Sequence, residues 1–112
     1  MLSFIHSFPT AMPVIMKGLR ERLDLYVDDT LDLQCQIQGI PAPTIIWKKD
    51  KARLNDSRFV ITFYTTGPKN DTSKSRLVLK YINIEDGGLY SCVGINAAGN
   101  TSSQIKLSVI AG

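Results

Sequence analysis

A chain of 112 residues, 44% apolar and 21% charged, has the size and balance of one ordinary globular domain. Its net charge of +3 comes from Lys and Arg scattered along the chain, which gives no case for nucleic acid. No run approaches the ~20 apolar residues of a membrane helix, so no membrane contact is expected of this domain. Two cysteines with no C-x-x-C and no Cys/His cluster argue against a zinc site, and no cofactor is expected.

Residues 1–12 read as a linker or tag. Leu2, Phe4, Ile5 and Phe8 are interrupted by Ser3, His6 and Ser7, without the basic start and continuous apolar run of a signal peptide. Pro9 and Pro13 favour an extended entry. The domain is expected over residues 13–110, with 111–112 as its C-terminal boundary.

From there the period is 2, the mark of β-strands, and not the 3.6 of helices. Residues 14–16 and 23–27 are two short strands, and Asp28 and Asp29 are turn residues. Residues 30–38 alternate: Leu31, Leu33, Cys35 and Ile37 point one way, Asp32, Gln34, Gln36 and Gln38 the other. That is a strand with one buried and one wet face. Residues 39–43, with Pro41 and Pro43, end it. Residues 44–49 form the next strand, with Ile45 and Trp47 inward. Residues 58–64 are a β-branched and aromatic strand, and 67–74 a polar loop. Residues 76–80 alternate again, with Leu77 and Leu79 inward. Residues 88–96 place Tyr90 and Cys92 on one face, 97–100 signal a hairpin turn, and Ile105, Leu107 and Val109 close the domain. About eight short strands with frequent turns predict an all-β, two-sheet antiparallel sandwich or barrel. At this level Cys35 and Cys92 are either two buried thiols or one disulfide.

Three features together resemble the immunoglobulin superfamily: Cys35, Trp47 on the following strand, and Cys92 near the end. The stretch Asp86-Gly87-Gly88-Leu89-Tyr90-Ser91-Cys92 is similar to the family pattern D-x-G-x-Y-x-C at every fixed position. Leu77-Val78-Leu79 and Asn96-Ala97-Ala98-Gly99 also resemble the family, Gly39-x-Pro41-x-Pro43 resembles its intermediate set, or I-set, and the resemblance covers roughly residues 13 to 110. The resemblance implies a Greek-key immunoglobulin-like sandwich with a Cys35–Cys92 disulfide. Closing a loop of about 58 residues, it would contribute roughly 4 kcal/mol in the chain-entropy view. It also implies a core built on Trp47, Leu79 and Tyr90, with Tyr90 as the tyrosine corner, and an ion pair between Arg58 and Asp86.

No catalytic set is expected. His6 lies in the tail, and no Ser/His/Asp group, calcium loop or phosphate loop is present. The resemblance therefore implies a binding or spacing module in one of two settings. Three Asn-x-Ser/Thr sequons at Asn55, Asn70 and Asn100, all read as loops, favour an extracellular adhesion molecule or receptor ectodomain. The stretches around 13–17, 23–25, 31–35 and 46–50 resemble modules of titin-like and twitchin-like muscle filaments, which are cytosolic and often keep their cysteines reduced. Partners are expected to be proteins: another immunoglobulin-superfamily chain or neighbouring domains. Strand parity turns Ile46, Val93 and Ile95 outward on the sheet of Trp47 and Cys92, with Lys48 and Lys106 nearby, a candidate binding face. Two basic clusters, Lys48/Lys49/Lys51/Arg53 and Lys69/Lys74/Arg76, are a candidate site for a heparin-like polyanion.

Overall fold

The computed structural model describes residues 9–112; residues 1–8 of the linker or tag expected over 1–12, His6 included, lie outside them. The described residues form nine strands and one turn of 3-10 helix, Ile84–Asp86. The strands are β1 (Ala11–Lys17), β2 (Arg22–Tyr26), β3 (Leu31–Ile40), β4 (Thr44–Lys49), β5 (Ala52–Arg53), β6 (Val60–Thr66), β7 (Thr72–Leu79), β8 (Gly88–Asn96) and β9 (Gly99–Ile110).

They pair into two sheets, ordered β1-β3-β7-β6 and β2-β9-β8-β4-β5. The alternation read in residues 30–38 is the alternation of burial along β3: Leu31, Leu33, Cys35 and Ile37 are buried and Asp32 and Gln34 exposed. Leu77 and Leu79 of β7, Trp47 of β4, Tyr90 and Cys92 of β8, and Ile105 and Leu107 of β9 complete one core between the sheets, joined by Ile82. Burial of these side chains, each worth about 1.5–3 kcal/mol, is what holds two half-wet sheets together.

Four details differ from the sequence reading. First, β1 begins at Ala11, three residues ahead of the strand expected over 14–16, and Asn96 Nδ2 donates to Ala11 O (2.8 Å) there. Second, β2 runs parallel to β9, Leu23 beside Leu107 and Leu25 beside Val109, the single parallel pairing among the described strands. Third, residues 72–74 are not loop. Thr72 pairs with Thr66 and Ser73 with Thr65, which extends β7, and the loop is left with 67–71. Ser73, inward, buried and donating its hydroxyl to Pro43 O, replaced the apolar signal there. Fourth, β6 starts at Val60. Arg58 and Phe59 belong to the turn before it, where Asp56 Oδ1 accepts from Arg58 N (2.9 Å) and Asp56 O from Phe59 N (3.2 Å). Asp28 and Asp29 do form the turn after β2: Asp28 takes φ 75°, and Asp29 Oδ2 accepts from Tyr26 N (2.8 Å).

Candidate functional site

Cys35 and Cys92 are joined by a disulfide across the sheets, with Cα atoms 6.6 Å apart. Trp47 lies directly beside Cys92 in the β4–β8 register and is buried. Its indole Nε1–H donates to Ser75 Oγ (2.7 Å), and Ser75 Oγ donates to Thr62 O (2.9 Å), a relay from one sheet into the other. Nothing in the Cys…Trp…Cys pattern points to Ser75. The available signal was a serine on the inward side of an alternating strand, a position that needs a polar partner.

Tyr90 is fully buried, and its hydroxyl donates to Asp86 O (2.6 Å). Burial, with the nearby negative charges of Asp86 and Asp50, pushes the phenol's pKa well up. Asp86 is itself buried, and Arg58 binds it through two nitrogens, Nη2 at 2.6 Å and Nη1 at 3.3 Å. Burial works against the carboxylate's charge. Hydrogen bonds from Arg58 and from Asn83 N–H, with the positive charges of Arg58 and Lys49, outweigh it and hold the pKa below its usual value. Leu79 sits in the same core, 1% exposed. Cys35, Cys92, Trp47, Ser75, Tyr90, Asp86 and Leu79 are buried in the frame, whereas the Arg58 side chain is half-exposed.

The outward side of the larger sheet is different. Ile46 stands directly across from Val93, and Thr44 from Ile95, with Ile95 40% exposed. Ser102 and Asn100 of β9 continue the same two rows. Further along, Lys48 of β4 lies opposite Arg53 of β5, and Lys106 of β9 opposite Arg22 of β2. Asp24 is the acidic residue that shares this side of β2. The face therefore has an apolar end (Ile46, Val93, Ile95) and a basic end (Lys48, Arg53, Lys106, Arg22). Like charges placed directly opposite each other, as Lys48 and Arg53 are, weaken a sheet.

Of the basic clusters, Lys48 and Arg53 stay together across β4 and β5, while Lys49 and Arg76 are drawn to other partners. Lys49 Nζ donates to Glu85 O (2.6 Å), and Arg76 is bound through two nitrogens to Asp32, which holds that carboxyl's pKa down against partial burial. Lys74 rests over the Tyr64 ring (5.9 Å) beside a shallow groove of about 370 Å³ that Lys17 also lines. Asn55 and Asn70 are exposed in loops, Asn70 at φ 53°. Asn100, expected in a loop, is exposed within β9, because the hairpin turns one residue earlier than the sequence suggests, with Gly99 pairing Asn96.

The family model for the immunoglobulin I-set domain matches residues 13–109. The chain belongs to the I-set. Similar curated proteins include hemicentin-1 of Mus musculus, 33% identical over 93 residues, covering 82% of this chain and 2% of that protein. Myotilin of Homo sapiens is 31% identical over 83 residues, covering 74% of this chain and 16% of that protein. Among solved structures, titin domain M7 superposes with a TM-score of 0.77 at 27% identity, covering 91% of this chain and 97% of that one. The chain thus spans a small part of the curated relatives' own lengths, one I-set module's worth. I-set domains are generally non-catalytic interaction modules.

Proposed function

We propose that this I-set domain binds another protein through the outward side of β4 and β8, as one module of a cell-adhesion molecule or receptor ectodomain. The observation that carries the proposal is the Ile46–Val93 pair with Ile95 beside it, unpartnered and grading into a basic end. Desolvating such an apolar patch supplies affinity, and the charges around it supply register and on-rate. The fitting partner presents an apolar patch bordered by carboxylates. The Cys35–Cys92 disulfide and the exposed Asn55, Asn70 and Asn100 sequons support a secreted or surface setting, where disulfides persist.

A panel of cell-surface ectodomains probed with the multivalent domain tests this reading. Binding by the unmodified domain that both Ile46→Asp and Val93→Asp abolish supports the face. Binding that survives both substitutions ends the proposal.

A second reading has its own support in the likeness to titin M7 and to myotilin: a structural spacer in a sarcomeric or cytoskeletal filament. A titin pair of related fold, 26% identical with TM-score 0.76, has been solved in complex with telethonin, so docking also belongs to that setting. Intact mass of native material separates the two. Glycan mass with an oxidised cysteine pair supports the ectodomain, and free thiols with no glycan support the filament.

A further inference from the structure

Of the four sheet edges, three are blunted against pairing with another chain. β1 carries Pro13 and two breaks in its register with β3. β5 is two residues long. β2 is five residues with Arg22 and Asp24. Each is a recognised device against edge-to-edge association. The fourth edge, β6, has none of them. It is Val-Ile-Thr-Phe-Tyr-Thr-Thr, seven residues without a charge or a proline, in unbroken register with β7. Among the described residues no backbone pairs with its outer side.

Its side chains are also uncovered. Val60 is 60% exposed, Tyr64 58% and Phe63 75%. Phe63 shares the inward side of the sheet, opposite buried Ser75, yet lies in the open. The cause is the facing sheet, in which β4 packs over β7 and only the two-residue β5 extends beyond it.

We infer that β6 is a docking edge for a second copy of this chain, the two β6 strands pairing antiparallel about a two-fold axis at Phe63. That axis sets Phe63 across from its own copy, Ile61 across from Thr65 and Thr62 across from Tyr64. Every one of these pairs is neutral, so self-pairing meets no like charge along the strand. The aromatic pair at the centre is of a favourable kind. Seven paired residues close about six to eight backbone hydrogen bonds, within the range of a typical interface. Along the paired segment, the β7 strands behind the seam set Lys74 and the copy's Arg76 three strand spacings apart, about 14 Å, beyond the screening length at physiological salt. The product is one continuous eight-stranded sheet with an isologous, closed interface that leaves the Ile46–Val93 face free.

Sedimentation equilibrium of the whole chain tests this, with Phe63→Lys and Tyr81→Lys proteins alongside. Tyr81 is as exposed as Phe63, at 75%, but lies outside β6. A concentration-dependent dimer is expected, weakened roughly tenfold or more by Phe63→Lys, which sets two cations face to face. Tyr81→Lys and Ile46→Asp are expected to leave it unchanged. Because Phe63 is exposed, the folded state should survive its replacement, and circular dichroism checks this. Amides of β6 should exchange more slowly as the dimer fills. A Phe63→Cys protein should oxidise to a disulfide-linked dimer faster than Tyr81→Cys. A chain monomeric at millimolar concentration overturns the inference, as does a dimer indifferent to Phe63→Lys. So does a monomer whose β6 amides are already protected, since the edge is then taken by the chain itself.

Discussion

Asn100 stands directly across the β8–β9 ladder from Ile95, on the outward side of the sheet. A glycan on Asn100 therefore rises beside the apolar end of the proposed binding face. In protein secreted from eukaryotic cells, occupancy of Asn100 is expected to lower binding through Ile46, Val93 and Ile95 by roughly tenfold or more, about 1.4 kcal/mol. Asn100→Gln should restore it, and Asn55→Gln should not. Intact mass with binding curves for the two forms checks this. Equal affinity with and without the Asn100 glycan would mean that the partner docks elsewhere.

Ser75→Ala removes the acceptor of the buried Trp47 N–H and leaves Thr62 O without its hydroxyl donor. An unsatisfied buried donor costs about 1–3 kcal/mol. Chemical denaturation should show a loss of that size for Ser75→Ala. Trp47→Phe in the Ser75→Ala background should cost less than Trp47→Phe alone, because the orphaned N–H goes with the indole. Additive losses would show that the indole–hydroxyl bond does not hold the sheets.

How much of this was legible follows from what each residue does. Leu31, Leu33, Cys35 and Ile37 announce β3 because burial on one side of a pleat writes itself as alternation. Cys35, Trp47, Tyr90 and Cys92 announce the sandwich because a disulfide, an indole and a corner hydroxyl need fixed spacings. Ser73 and Ser75 hid the first half of β7, since polar residues on a buried side mimic a loop until their hydrogen-bond partners are known. The exposure of Phe63 was equally hidden. It depends on the length of β5, a strand of two residues that leaves no periodic trace. Ile46, Val93 and Ile95 could be placed by parity alone, but their graded neighbours Arg53 and Arg22 come from other strands and needed the register.

Gly94 points at Ile37 across the core. A Cβ built there lies 2.6 Å from Ile37 Cδ1 and 2.9 Å from Cγ2. Gly94→Ala is expected to destabilise by about 1–3 kcal/mol through overpacking. Ile37→Val removes Cδ1 and should recover part of that loss, so the double substitution costs less than the sum of the singles. Thermal melts of the four proteins measure it. A neutral Gly94→Ala would mean that the two sheets part more easily than their packing implies.

Arg58→Ala strands the buried Asp86 carboxylate with only the Asn83 N–H at 2.9 Å and the charge of Lys49 to support it. Arg58 is 45% exposed in its side chain, so the loss of stability at neutral pH falls short of that for a fully buried pair. The pH dependence carries the sign. Asp86 has a folded pKa below the ordinary 3.8, so its pairing contributes fully above that value and is lost as pH falls through the lowered folded value. Asp32 and Asp56 are shifted the same way by Arg76 and Arg58, so the unmodified domain should lose stability in acid. Without Arg58, burial is left as the main influence on Asp86, and its folded pKa rises toward or past the unfolded one. Protonation then relieves the stranded charge. The gap between the two proteins in urea denaturation should be widest near pH 7 and shrink at and below about pH 3. A gap that stays constant across that range would show that Arg58 acts by packing its stem and not by pairing with Asp86.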